Sequence, residues 1–139
     1  MQLQIITLTG VFLDKEVFEV AVPTTAGPIA INDGHTPLVG AIKPGILTVK
    51  FKKSDKDSDW QQVAVYEGTI EVLHNIVKVL VDDVDTPEEV SQAEAEKALA
   101  KAKEMNDKAK DAVSLAEAQS MMDRSAVRLQ LASLKRHKK

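Results

Sequence analysis

Cysteine is absent from these 139 residues. That excludes a disulfide scaffold and thiolate metal ligation together, and it suits a reducing compartment. Glycine and proline are missing beyond Pro87, so the last third of the chain lacks the residues that punctuate turns. Aromatic residues make up only 4%, and Phe12, Phe18, Phe51, Trp60 and Tyr66 all fall in the first part of the chain, where core packing is their expected use. No apolar run approaches the roughly 20 residues that cross a bilayer. The opening MQLQIITLTG has neither the basic start nor the apolar core of a secretory signal, so the expectation is a soluble protein that meets a membrane only through a partner. Arginine does not occur before Arg124, and a net charge of −3 offers no overall basic field, which excludes nucleic acid as a partner.

Chemistry-bearing constellations are also missing. Neither GxxxxGK nor GxGxxG occurs, and no serine stands in a nucleophile-elbow context. His35, His74 and His137 have no carboxylate or second histidine at catalytic or ligand spacing. Asp82, Asp83 and Asp85 could together hold a hard cation, but a solvated strand end is the better reading. The expectation is no catalytic residue, no metal and no cofactor.

What is present changes character near Thr86-Pro87. The first part carries short runs of strand-forming residues at 3–8, 17–22, 29–31, 46–51, 62–66, 69–73 and 76–81, separated by turn residues. Phe18, Val20 and Val22 alternate with Glu19 and Ala21, and Val77, Val79 and Val81 with Lys78 and Leu80, the period of strands with one strongly buried face. Lys52 to Asp59 reads as a polar hairpin tip and His74-Asn75 as a tight turn. Many short strands without intervening helices predict an antiparallel sandwich or flattened barrel over residues 1–87. Within it, NDGHTPLVGAIKPG (32–45) brackets a short apolar run with Gly34, Pro37, Pro44 and Gly45, and predicts a shaped loop held down by Leu38, Val39, Ala41 and Ile42.

Residues 88–139 are rich in Ala, Glu, Lys, Gln and Met. Ala95, Ala98, Ala102, Met105, Ala109 and Ala112 lie on one narrow helical stripe, and Leu115, Ala118, Met122, Leu129 and Ala132 on another, which Val127, Leu131 and Leu134 widen. A weak break near Asn106-Asp107 predicts a two-helix antiparallel hairpin, with one long helix as the alternative. The class is therefore α+β. Residues 1–87 sum to −5 and residues 88–139 to +2, and Arg124, Arg128 and Arg136 cluster with Lys135, Lys138 and Lys139 at the end. Such a terminus either complements its own helix dipole or meets an acidic surface.

Taken in order, Val22 to Gly45 (VPTTAGPIAINDGHTPLVGAIKPG), Glu67 to Leu73 (EGTIEVL), a strand ending in acids and an Ala/Glu/Lys hairpin resemble the epsilon subunit of bacterial F-type ATP synthases across essentially the whole chain. The family's usual Gly-Gly stands here as Glu67-Gly68. The resemblance implies a noncatalytic central-stalk rotor subunit. Its sandwich would pack on gamma, and its loops at Gly27 and Pro28 and at Gly34, His35, Thr36 and Pro37 would face the c-subunit ring. Its second helix would extend to meet an acidic loop of the beta subunits in the alpha/beta hexamer, using Arg124, Arg128 and Arg136, and so restrain ATP hydrolysis.

The resemblance further implies a peripheral position on the cytoplasmic side of the bacterial membrane, or on a plastid thylakoid for a plastid-encoded relative. Some members bind ATP through Ile/Leu-Asp-x-x-Arg-Ala. The matching residues here are Val90-Ser91-Gln92-Ala93-Glu94-Ala95, which lack both carboxylate and guanidinium and imply weak or absent ATP binding. The rival from another class is a β-sandwich ligand-binding domain with a helical oligomerisation tail.

Overall fold

The computed structural model describes the backbone of residues 1–137 and the side chains of residues 1–134. The chain divides into two compact units, Met1–Val84 and Asp85–Lys139.

Apart from a single 3-10 turn at Asp57–Asp59, the first unit is built of strands: β1 (Gln2–Thr7), β2 (Gly10–Glu16), β3 (Glu19–Thr24), β4 (Gly27–Asn32), β5 (Leu38–Ile42), β6 (Gly45–Lys50), β7 (Gln61–Val65), β8 (Gly68–Leu73), β9 (Ile76–Val81) and the short β10 (Val84–Asp85), whose last residue begins the second unit. They form one continuous sheet in the order β10-β7-β6-β3-β5-β8-β9-β1-β2, with β4 on β3. The sheet folds over at β3, whose first half pairs with β6 and whose last residue pairs with β5. Two five-stranded layers result, and their alternating inward residues supply the core: Leu3, Ile5, Val20, Val22, Leu47, Val63, Ile70 and Val79 are each no more than 1% exposed. Residues Glu19 to Asn32 and Gly68 to Val81 form hairpins whose registers keep this alternation intact.

Three details depart from the reading of the sequence. Leu38–Ile42 is a strand paired along its length with β8, not a loop; the run is short and holds Gly40, which hides its period, although a Cβ added at Gly40 would lie 3.4 Å from Ile70 Cγ2, an ordinary contact. Gly10–Glu16 is a further strand, obscured because only Leu13 is buried and its second half is charged, as suits a strand with one neighbour. And β1 runs parallel to β9, so one pairing breaks the antiparallel rule.

Turn chemistry follows the predicted positions. His74 and Asn75 both take left-handed angles (φ 50 and 64), making the two-residue turn between β8 and β9. Asp55 Oδ2 accepts the N–H groups of Phe51 (3.2 Å) and Lys52 (3.0 Å), which closes the polar tip between β6 and β7. At Gly68 the constraint is space: a Cβ there would lie 2.0 Å from the Leu80 carbonyl oxygen, whereas the neighbouring Glu67 is exposed. A single glycine is what this crossing of β8 and β9 requires.

The second unit holds α1 (Gln92–Lys108) and α2 (Ala112–His137), joined by three residues and packed on each other as a hairpin. Ser91 caps α1, its Oγ accepting the Glu94 N–H at 3.4 Å. The break comes at Ala109 to Asp111, later than Asn106-Asp107, and Asp111 creates it: its Oδ1 accepts the Ser114 N–H at 2.7 Å. Ala95, Ala102, Ala118, Val127, Leu131 and Ala132 are buried, as the stripes predict, whereas Met105 (37% exposed) and Leu115 (49%) near the connection are not.

Candidate functional site

The two proline- and glycine-marked segments lie at opposite ends of β4. Gly27 opens the strand, with its carbonyl accepting from Thr24 Oγ1, and Pro28 is exposed beside it. Gly34, His35, Thr36 and Pro37 follow the other end, where the His35 N–H returns to the Asn32 carbonyl at 3.2 Å. A six-residue strand separates them by roughly 17 Å at 3.3 Å per residue. The structure does not bring the two predicted contact loops together.

The second loop is held by Asn75 from the turn between β8 and β9. Asn75 Oδ1 accepts the Gly34 N–H at 3.0 Å, and its amide donates to Asp33 Oδ1. Gly34 takes φ +79, a left-handed angle that a side chain there would strain. The Asn75 bond, followed by the nearby positive charge of the Met1 amino group, holds the Asp33 carboxyl below the usual carboxylate value. His35 is exposed, and its Nδ1 lies 2.7 Å from the Thr36 carbonyl oxygen, so that nitrogen is taken up within the loop.

A feature that the sequence reading missed lies on the outer face of the layer β5-β8-β9-β1-β2. Register places Ala41, Thr69, Leu80, Ile6 and Val11 in one row across all five strands. Leu80 is 42% and Val11 65% exposed, and Leu8 in the following turn is 86% exposed. The adjacent row reads Val39, Glu71, Lys78, Gln4 and Asp14, so charge borders the apolar strip. Every exposed large hydrophobic residue of the first unit belongs to this layer or its turns. Its signal was present: Leu80 occupies the outward phase of β9, where Lys78 and not an aliphatic residue fits a solvated face. A contiguous apolar strip rimmed by charge is characteristic of a protein-binding surface.

In the helical unit Arg128 Nε donates to Asp85 Oδ2 at 3.0 Å, with the two side chains 37% and 17% exposed. Arg124 lies one turn earlier and is half-buried; the Arg136 side chain falls outside the described residues, as do those of Lys135, His137, Lys138 and Lys139. Beside the ion pair is an open cleft of about 250 Å³ lined by Asp85, Glu89, Val90, Ser91, Glu94, Ala95, Ala98 and Arg128. Three carboxylates, of Asp85, Glu89 and Glu94, line it with the one guanidinium of Arg128. No group of three or more His, Cys, Asp or Glu suited to a metal occurs among the described residues. Asp82 and Asp83 instead accept the N–H groups of Asp83 and Val84. None of the described helices is long and apolar enough to cross a membrane.

The family model for the ATP synthase, Delta/Epsilon chain, beta-sandwich domain matches residues 1–87. Among curated relatives, the chloroplastic ATP synthase epsilon chain of Oltmannsiellopsis viridis is 35% identical over 133 residues, covering 94% of this chain and 98% of that protein. The ATP synthase epsilon chain of Staphylococcus aureus is 31% identical over 136 residues, covering 97% and 98%. Among solved structures, a chain of the Euglena gracilis mitochondrial ATP synthase (OSCP/F1/c-ring, rotational state 1) has a TM-score of 0.80 at 20% identity, over 95% of this chain and 79% of that one. A chain of the Tetrahymena thermophila mitochondrial ATP synthase central stalk/c-ring reaches 0.69 at 16% identity, over 94% of both. At these identities the solved structures establish the shared fold.

Proposed function

The chain belongs to the ATP synthase epsilon chain family, a noncatalytic stalk subunit, and from that premise we propose that it is a rotor element linking gamma to the c-subunit ring. In this role it couples transmembrane ion flow to ATP synthesis, and its helical hairpin restrains ATP hydrolysis. The observation that carries the reading is the apolar row through Leu80, Ile6 and Val11: a rotor part without catalytic groups acts by being gripped, and this strip offers gamma an apolar centre with a charged rim. The loops at Gly27-Pro28 and Gly34–Pro37 are the proposed ring contacts. Because β4 separates them, a contact using both must run along that strand, where Pro28, Ala30 and Asn32 are exposed. Arg124, Arg128 and Arg136 are the proposed contacts with acidic residues of the beta subunits. Weak or absent ATP binding follows from the acidic cleft, and a calorimetric dissociation constant in the low micromolar range would contradict it. The proposed location is peripheral, on the cytoplasmic side of a bacterial membrane; the 35% identity to a chloroplastic chain supports the thylakoid as the alternative.

The test is size-exclusion chromatography of the full chain with gamma. A stoichiometric complex that Val11→Asp and Leu80→Asp together disrupt, with the isolated chain still folded, is the expected result. A full-strength complex with both aspartates present would exclude the outer face as the gamma contact, whereas no complex with the unsubstituted chain would favour a ligand-binding domain with an oligomerisation tail.

A further inference from the structure

Asp33-Gly34 is the one Asp-Gly pair in the chain, and Asn-Gly does not occur. A glycine after an aspartate carries no side chain to crowd the aspartyl Cγ, so at such a pair the backbone most readily attacks its neighbour. The Gly34 amide nitrogen adds to Asp33 Cγ, the protonated carboxyl loses its hydroxyl as water, and a five-membered succinimide closes. Water then reopens the ring, at Cγ to restore aspartate or at the main-chain carbonyl to leave Gly34 joined through Cγ as isoaspartate. One water is lost and one gained, so the change needs no oxidant and no other reactant.

Burial does not protect this pair. The Asp33 side chain is 73% exposed, and Gly34 is exposed beside it. Asn75 instead bonds both reacting partners. Its Oδ1 accepts the Gly34 N–H at 3.0 Å, which aims that group at the turn between β8 and β9 and away from Asp33 Cγ. Its amide donates to Asp33 Oδ1, which favours the carboxylate, a far poorer electrophile than the acid. That bond first, and the Met1 amino group 3.6 Å from the same oxygen second, hold the carboxyl below its usual value. Asn75 is itself placed by the pairing of β8 with β9 up to Leu73 and Ile76, so its position does not depend on the loop it clamps.

We propose that Asp33-Gly34 is a latent isoaspartate site and that Asn75 is the positioning residue that keeps it from reacting. Isoaspartate adds a methylene to the main chain between Asn32 and His35, whose N–H···O=C bond of 3.2 Å closes the turn, and so displaces the Gly34–Pro37 loop. Asn75 thereby guards the covalent integrity of that loop, whatever the loop contacts.

The test incubates the full chain warm at neutral pH, folded or in urea. Isoaspartate is counted by methyl transfer from labelled S-adenosylmethionine with an L-isoaspartyl methyltransferase. Peptide mass mapping assigns the signal to residue 33 and separates it from sites such as Asp57-Ser58. The unfolded chain is expected to form isoaspartate at 33 at least about tenfold faster than the folded one, the scale of one hydrogen bond to a charged group. Asn75 has φ 64, so Asn75→Gly keeps the left-handed turn while removing both bonds, and should raise the folded rate about tenfold. Asn75→Asp, which also tolerates that angle, retains an acceptor for Gly34 but withdraws the donor from Asp33, and should give an intermediate rate. Asp33→Glu should abolish the signal at this position, because glutamate would have to close a six-membered ring. Cooperative urea unfolding identifies the variants that are folded. Equal rates for the folded and unfolded chain, or folded Asn75 variants that stay at the parent rate, would overturn the proposal.

Discussion

Replacing Gly68 by alanine is a one-atom test of how the outer layer is built. The added Cβ would lie 2.0 Å from the Leu80 carbonyl oxygen and 2.8 Å from Val81 Cγ1. An ordinary C···O contact is about 3.3 Å, so β8 and β9 must part by roughly 1.3 Å at this point. The obstacle is backbone, and no rotamer change relieves it. Overpacking in a close-packed region costs about 1–3 kcal/mol, and stretching the adjoining ladder bonds adds about 1 kcal/mol more. A loss of about 3 kcal/mol is large against the roughly 5–15 kcal/mol of a whole domain. For a unit of this size it corresponds to a fall in Tm on the order of 12–24 °C. Urea unfolding followed by Trp60 fluorescence measures it, with Glu67→Gly as the control, because Glu67 points to solvent and should cost less than about 1 kcal/mol. A Gly68→Ala loss under about 0.5 kcal/mol, the range of an ordinary surface change, would refute the close approach. Thr69 and Leu80, the register partners beside Gly68, belong to the apolar row, so the same substitution should also weaken the complex with gamma.

Acidification should fray the start of α2. The Asp111 carboxyl is held below its usual value of 3.8, chiefly by the Ser114 N–H, so its contribution is complete above 3.8 and disappears as pH falls through the lower folded value. Amide exchange of Ser114 and Leu115 at acid pH reads this, and Asp111→Asn should remove most of the dependence. Asn75→Ala should speed exchange of the Gly34 N–H and raise the Asp33 pKa toward 3.8, because the bond that lowers it is gone; an NMR titration showing Asp33 unmoved would contradict the clamp.

The bulk of the sandwich was legible because alternation at Val77, Val79 and Val81, and at Val20 and Val22, is a local signal that survives any topology. Strand β5 was not, since its pairing with β8 is decided some 30 residues away and Gly40 interrupts its pattern. The parallel neighbours β1 and β9 share the same non-local origin. Asn106-Asp107 looks like the stop between the helices, whereas the structure uses the side chain of Asp111 as a cap. The candidate site divides in the same way: loop residues Gly34 to Pro37 announce themselves by composition, but the row of Ala41, Thr69, Leu80, Ile6 and Val11 exists only once five strands are in register. The same holds for Asp85 and Arg128, whose sequence separation hides their contact.

The central claim is that one chain contains a gripping sandwich and a separate restraining hairpin. It is tested most directly by the ATP hydrolysis rate of a complex of gamma, the alpha/beta hexamer and this chain, compared for three forms: full length, lacking residues 88–139, and carrying Arg124→Ala, Arg128→Ala and Arg136→Ala together. The account predicts that all three bind stoichiometrically, that the full chain slows hydrolysis, and that truncation and triple substitution relieve it to the same extent. Equal rates for all three forms at full occupancy would contradict it.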